Sequence, residues 1–286
     1  MDKKLDRKKV AVVTGSSSGI GLETSLLLAR NGFDTYATMR NSNKSNILID
    51  LAKKDLLPLQ VLELDVDDES SVKDAIEKII QEKKSIDVLV NNAGYALVGA
   101  IEDLSMNEIK AQFETNLFGA IRLIQSVLPV MRKQHGGTIV NVSSIAGRIG
   151  FPLTPAYVSS KFALEGLSES MRYELAQFAI KVILIEPGVV KTNFGGNLKM
   201  GRATTDTRSP YAEIMQKRIT GFKSRFEKGL SPFEVAKVIL KAVTSDSAEP
   251  RYLVGDDAIM LAHTKKNMSD GEFEELMIKN ISLNNV

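Results

Sequence analysis

Short apolar runs alternate along the chain with longer amphipathic stretches. The runs are Lys9–Thr14, Asp34–Met39, Leu59–Leu64, Ile86–Asn91, Thr138–Ser143, Lys181–Glu186 and Arg251–Val254. Several are nearly continuous in Val, Ile and Leu, the pattern of strands covered on both faces. Between them, helices are predicted over Gly19–Arg30, which stops at Asn31-Gly32, and over Glu69–Gln81. A long helix should follow Ser105, whose Ser105-Met-Asn-Glu108 start reads as a capping box, and end before Gly136-Gly137. Another should run from about Pro155 to Phe178. Strand–helix alternation of this kind predicts a parallel sheet with helices on both faces.

The expected fold is therefore α/β, a Rossmann-type doubly wound sheet of about seven strands in the order 3-2-1-4-5-6-7 inside a three-layer α/β/α sandwich. One catalytic domain is expected over 6–256. An irregular, substrate-facing insertion is expected at about 193–229, and a partly helical extension over 257–286, with its helix near Gly271–Lys279. The net charge of +2 carries no signature of a nucleic-acid surface. The absence of cysteine excludes disulfides, thiolate catalysis and cysteine-bound zinc. His135 and His263, the two histidines, have no neighbours at metal-ligand spacing, so no metal is expected. No secretory signal or membrane-spanning run is visible, which points to a cytoplasmic enzyme with no membrane partner.

Chemistry enters at the end of the first strand. Thr14-Gly15-Ser16-Ser17-Ser18-Gly19-Ile20-Gly21 leads straight into a helix. Gly15 suits a sharp turn, Gly19 a close backbone approach to a pyrophosphate, and Gly21 tight helix–sheet packing. The first N–H groups of the helix, with the positive end of its dipole, face the phosphates. At the end of the second strand, where an acidic residue would bond the ribose hydroxyl of NAD, stand Met39 and Arg40. A guanidinium there can grip the 2′-phosphate of NADP, so NADP(H) is expected over NAD(H). The alternative reading of Arg40 is a solvated loop residue.

Tyr157 and Lys161 are four residues apart, one turn of a helix and on one face. An ammonium beside a phenol favours phenolate and brings its titration towards neutrality, as acid–base chemistry requires.

Taken together, these motifs resemble the short-chain dehydrogenase/reductase family, in its single-domain branch. The resemblance covers residues 8–195 clearly and extends more weakly to 256. It implies an oxidoreductase acting on a CH–OH group with NAD(P). It identifies Tyr157 as proton donor in reduction and base in oxidation, and Ser144 as the hydroxyl that orients and polarises the substrate oxygen. Lys161 is implied to lower the tyrosine pKa and bind the nicotinamide ribose, and Asn116 to anchor a water that links Lys161 to solvent. Gly15, Ser17, Ser18, Gly19, Ile20 and Gly21 are implied to hold the pyrophosphate, Arg40 the ribose, and Asp65-Val66 the adenine. Asn92-Ala93-Gly94 line the cofactor. Pro187, Gly188, Val190 and Thr192 hold the carboxamide.

Alternatives stand beside several of these roles. Ser143 is the other candidate hydroxyl, and Asp65 the possible start of a helix. Tyr95 is either a pocket residue or a surface aromatic.

Leu97, Val98, Ile149, Phe151, Leu153 and Phe194 suggest an apolar substrate pocket. The Tyr-Ala-Thr-Met-Arg strand and the long tail look closer to hydroxysteroid and retinol dehydrogenases, which implies a bulky apolar alcohol or ketone. The resemblance further implies a homodimer or homotetramer paired through helices 105–134 and 155–178. An NAD-dependent alcohol dehydrogenase and a non-catalytic NADP-binding sensor or scaffold are the competing functions.

Overall fold

A computed structural model of the chain describes residues 7–191 and 198–283. Its strands are β1 Val10–Val13, β2 Asp34–Met39, β3 Leu59–Glu63, β4 Val88–Asn91, β5 Ala96–Val98, β6 Gly137–Val142, β7 Ile180–Pro187, β8 Leu198–Met200 and β9 Arg251–Val254. The helices are α1 Gly19–Arg30, α2 Asn46–Lys54, α3 Glu69–Lys83, α4 Met106–Phe113, α5 Gly119–Lys133 and α6 Pro155–Leu175, followed by α7 Ala212–Glu227, α8 Pro232–Thr244, α9 Asp256–Lys266 and α10 Asp270–Leu283.

Seven strands pair in the order β3-β2-β1-β4-β6-β7-β9, every described pairing parallel. Renumbered over those seven, this is the expected 3-2-1-4-5-6-7. Alternation along β1 explains the three layers, because successive side chains leave opposite faces of a strand. Val10 and Val12 pack with Ile76 and Ile79 of α3, Leu123 and Val127 of α5, and Met171 and Leu175 of α6. Ala11 and Val13 pack with Leu28 of α1 and Val235, Ile239 and Val243 of α8.

Several elements depart from expectation. The long helix after Ser105 is broken by one turn of π-helix, Glu114–Phe118, between α4 and α5. The Ser105–Glu108 capping box forms as read. The stretch 193–229, expected to be irregular, contains β8 and α7. β8 pairs with β5 in a separate two-stranded parallel sheet, a long-range pairing that no local pattern announces. α2 and α8 were not foreseen. α8 starts at a Ser231 cap followed by Pro232, both favourable at a helix start, and it is needed to cover one face of the sheet. The tail forms two helices. Ala258 of α9 and Phe273 of α10 bury against Ile145 and Ile149, beside the end of β6. None of the described helices is long and apolar enough to cross a membrane.

α6 is tied to the sheet by a polar chain within the core. Asn91 Nδ2 donates to Asn141 Oδ1 at 2.9 Å, and Asn141 Nδ2 donates to Ser168 Oγ at 2.8 Å. Asn141 and Ser168 are fully buried, so no water replaces a lost partner. Asn141→Ala is expected to cost about 2–3 kcal/mol, seen as a lower urea midpoint with an unchanged m value.

Candidate active site

A cleft of about 550 Å³ opens at the carboxyl ends of the strands, across the point where the order reverses between β1 and β4. Its first wall is the β1–α1 turn. Thr14 Oγ1 accepts the backbone N–H groups of Asn92 at 3.0 Å and Ala93 at 2.9 Å, and Asn92 Nδ2 donates back to the Thr14 carbonyl at 2.8 Å. This clasp leaves no room for side chains. A Cβ at Gly15 would lie 2.9 Å from Ala93 Cα, and one at Gly21 would lie 2.4 Å from the Gly15 carbonyl oxygen and 2.5 Å from Asn92 Nδ2. Gly15 and Gly19 also take positive φ, 67° and 59°. Ser17, Ser18, Gly19 and Ile20 line the cleft, and the Ser18 side chain does not cap α1. The helix N-terminus is thus open to an anion. Gly21 sits behind the lining as a packing residue.

At one end of the cleft lie Met39, Arg40, Asp65, Val66 and Asp67. Asp65 Oδ1 accepts the Asp67 N–H at 3.1 Å, whereas the cap of α3 is Asp68, so Asp65 does not start that helix. Burial pushes the Asp67 carboxyl above its ordinary value, while Thr115 and the Arg40 charge pull it down. Arg40 is exposed.

At the other end, Ser144, Tyr157 and Lys161 come together under Pro187-Gly188. The Ser144 hydroxyl donates to the Pro187 carbonyl at 3.4 Å. It also accepts the Ala146 N–H at 3.1 Å, which fixes its direction. Ser143 faces Glu165 instead, and this separates the two candidate serines. Lys161 is buried and donates to the Val142 carbonyl at 2.8 Å. The proximity of Lys161 to Tyr157 was expected to lower the phenol. Here burial pushes Tyr157 up, and the neighbouring Ser144 hydroxyl opposes it. The Lys161 ammonium lies 5.8 Å from the ring centroid and is itself pushed down to about 8 by burial, with Glu165 opposing.

Asn116 lies in the π-turn and not in a regular helix, a placement common near functional sites. It accepts the Tyr95 N–H at 3.1 Å and donates to the Tyr95 carbonyl at 3.0 Å and to Ser160 Oγ at 3.2 Å. Ser160 in turn donates to the Tyr157 carbonyl at 2.7 Å. Asn116 therefore braces the floor of the site without lining the cleft.

Asn92, Ala93, Gly94, Pro187, Gly188 and Val190 all line the cleft, and Thr192 and Phe194 fall outside the described residues. Of the other apolar candidates only Phe151 lines it; Leu97, Val98, Ile149 and Leu153 face the core, where β5–β8 pairing and the tail draw them in. Leu153 holds a left-handed backbone (φ 59°), and its carbonyl accepts the Gly99 N–H at 2.8 Å. Tyr95 is buried and lines the cleft, with the Lys199 ammonium 3.9 Å from its ring centroid.

The family model for short chain dehydrogenase matches residues 9–203. The chain belongs to this family. It is 42% identical over 252 residues to the uncharacterised oxidoreductase YusZ of Bacillus subtilis, covering 87% of this chain and 89% of that protein. It is 39% identical over 252 residues to retinol dehydrogenase 8 of Bos taurus, covering 84% of this chain and 79% of that one. Among solved structures, the alcohol dehydrogenase of Thermococcus sibiricus complexed with 5-hydroxy-NADP superposes with a TM-score of 0.72 at 26% identity, covering 87% of this chain and 96% of that chain. The protein is thus an oxidoreductase of the short-chain dehydrogenase/reductase family, with a cleft of the kind that takes a nicotinamide dinucleotide.

Several residues at the cleft of this short-chain dehydrogenase/reductase escaped sequence reasoning. Asp67 and Lys199 line it. Asp257, in the first turn of α9, accepts the Val189 N–H at 2.7 Å, and a Cβ on Gly188 would lie 2.1 Å from its Oδ1. The tail thereby braces the Pro187–Val190 loop. No local motif marks a contact that spans so much of the chain.

Gly21→Ala should force the Gly15–Asn92 clasp apart. A loss of about 1–3 kcal/mol in a denaturant titration is expected, as for other overpacked sites.

Proposed function

We propose that the protein is an NADP(H)-dependent oxidoreductase that interconverts a carbonyl and an alcohol on a small apolar substrate, with Tyr157 as the general acid and base. The observation that carries this reading is the convergence of Ser144, Tyr157 and Lys161 in the same cleft that the glycine turn lines. The residues fit a dinucleotide: the turn has no room for a Cβ at Gly15 or Gly21, and the N-terminus of α1 beside it is free of a side-chain cap. When bound, the nicotinamide would supply or accept the hydride.

The remaining chemistry falls to the chain. Gly15, Ser17, Ser18, Gly19 and Ile20 would hold the pyrophosphate, with Gly21 packed behind them. Asp65 and Val66 would hold the adenine; Asn92, Ala93 and Gly94 the body of the dinucleotide; and Pro187, Gly188, Val190 and Thr192 its carboxamide. Lys161 would bind the adjoining ribose hydroxyls. Ser144 would hold the substrate oxygen. In reduction, Tyr157 would give its proton to that oxygen. Burial keeps the phenol protonated near neutral pH, the state a proton donor needs. In oxidation the same atoms run backwards, and Tyr157 takes the alcohol proton. Asn116 keeps the Tyr95 loop and α6 in register.

Arg40 supports NADP over NAD because it is exposed at the ribose end with no acidic residue in the Met39 position. One observation favours NAD instead: Arg40 lies near enough to Asp67 to influence its charge, and that carboxylate competes with a phosphate. The apolar Tyr95, Ile145, Phe151 and Leu198 support a hydrophobic substrate, as does similarity to a protein named retinol dehydrogenase. We take 6–256 as one catalytic domain and 257–286 as an extension. Exposed Phe118, Phe162 and Tyr173 on the 105–134 and 155–178 helices support pairing of two copies there.

Two measurements test the reading. In fluorescence titrations NADPH should bind more tightly than NADH, and Arg40→Ala should weaken NADPH by roughly 10- to 100-fold while leaving NADH unchanged. Equal binding of both by the wild type would place Arg40 in the solvated loop. Tyr157→Phe should bind NADPH normally but lower kcat for reduction of apolar ketones by about 100- to 10,000-fold.

A further inference from the structure

One wall of the cleft carries positive charge that the chemistry above leaves unassigned. The charged side chains lining the cleft are Arg40, Asp65, Asp67, Lys161, Lys199 and Arg218. Both carboxylates lie at the ribose end with Arg40, and Lys161 belongs to the catalytic end. Lys199 of β8 and Arg218 of α7 come from the stretch after β7, and no acidic side chain of that stretch lines the cleft with them. Their places are fixed by packing. β8 pairs with β5, which sets Lys199 opposite Leu97. Just beyond, the Gly201 N–H donates to the Val98 carbonyl at 2.9 Å, and the buried Thr204 hydroxyl donates to the same oxygen at 3.2 Å. Met215 of α7 buries against Val98 and Leu153, and Arg218 follows one turn later on the same side of that helix. Among the described residues the Lys199 ammonium makes no ion pair; it lies 3.9 Å from the centroid of the Tyr95 ring. Asn116 holds both backbone groups of Tyr95. Glu108, whose charge also reaches Tyr95, is engaged by Ser105 and by the Arg202 N–H at 2.8 Å. An ammonium seated over a ring still has N–H donors to offer a further partner.

We propose that Lys199 and Arg218 form an anion-binding wall of the cleft, which takes a phosphate or carboxylate group of a bound ligand. The inference rests on the reading of the cleft as a dinucleotide site with a carbonyl or alcohol substrate beside it. Two sources fit this chemistry. One is the diphosphate of the cofactor: Thr14–Gly21 contains no basic side chain, so a pyrophosphate there meets N–H groups and a helix dipole but no full positive charge. The other is an acidic group at the far end of an otherwise apolar substrate, whose body would lie along Tyr95, Phe151 and Leu198. In either case the ammonium and guanidinium donate charge-assisted hydrogen bonds to the same kind of oxygen.

The test compares wild type with Lys199→Gln, Arg218→Gln and Lys199→Arg in two arms. The first titrates NADPH and NADH by the fluorescence of the bound nicotinamide. The second measures kcat/KM of the NADPH-loaded enzyme for 4-acetylbenzoate and for its methyl ester, a pair that differs only in the negative charge. If the wall takes the cofactor diphosphate, each Gln variant should weaken NADPH and NADH by the same factor, roughly 5- to 30-fold. Arg40→Ala, in contrast, should weaken NADPH alone. If the wall takes an acidic substrate, both dinucleotides should bind as in wild type, and the preference for the acid over the ester should fall by a similar factor. Lys199→Arg keeps the charge and should stay within about twofold of wild type in both arms. Lys199 is exposed, so its variants decide the matter if Arg218→Gln does not fold. Unchanged affinity for both dinucleotides would overturn the inference if wild type shows no preference for the acid, or if the variants keep that preference. An equal loss in Lys199→Arg would overturn it too, because shape and not charge would then be at work. Failure of the wild type to bind either NADPH or NADH would sink the underlying functional reading instead.

Discussion

The close approach of the β1–α1 turn to the end of β4 is the constraint on which the site depends. Thr14 and Asn92 clasp each other through side-chain and backbone bonds, and the clasp closes only where Gly15 and Gly21 carry no Cβ. The sheet order reverses at this point, so the loops beyond β1 and β4 part and leave the cleft between them. The backbone that builds the crevice is thus the same backbone proposed to hold a pyrophosphate. A side chain at either glycine would spoil both.

The second requirement is that α6 stay rigid, since it carries both Tyr157 and Lys161. It is held from three directions. Asn141 binds it from the sheet through Ser168, Asn116 from the π-turn through Ser160, and the Val142 carbonyl through Lys161 itself. Each bond lies out of water, where an unmade partner costs more than a made one contributes. Arg251 also binds Glu165 of α6 at 2.7 Å and lies 3.6 Å from Glu186 of β7, so electrostatics and packing act on one helix. Asp257 extends this bracing to the loop above, which joins the C-terminal helices to the cleft.

How much of this was legible beforehand depended on the range of the interactions. The seven strands of the main sheet, α1, α3, α6 and the Ser105 capping box are set by periodicity and caps, which act within a few residues. They could therefore be read directly. Of the proposed site, Tyr157 and Lys161 stood out because they share one helix turn and Gly15, Gly19 and Gly21 because they answer a local steric demand, whereas Ser144 and Asn116 came only from the family resemblance. The regular elements within 193–229 were missed because β8 has three residues and owes its existence to β5, far away in the chain, although Leu198, Lys199 and Arg218 of that stretch do line the cleft. The apolar pocket was misassigned for a related reason: Leu97 and Val98 look like pocket residues by composition, but their strand partner turns them into the core.

By itself, then, the sequence determined the alternation of elements, the glycine turn and the Tyr157–Lys161 pair, since each rests on near-neighbour sterics or period. Only the tertiary structure decided which serine faces Tyr157 and that Asn116 braces rather than lines the cleft. It also decided that burial, more than Lys161, sets the phenol's proton affinity, and that Lys199 and Arg218 reach the cleft. Those outcomes depend on desolvation and on contacts between residues distant in the chain. Neither quantity exists until the layers have packed.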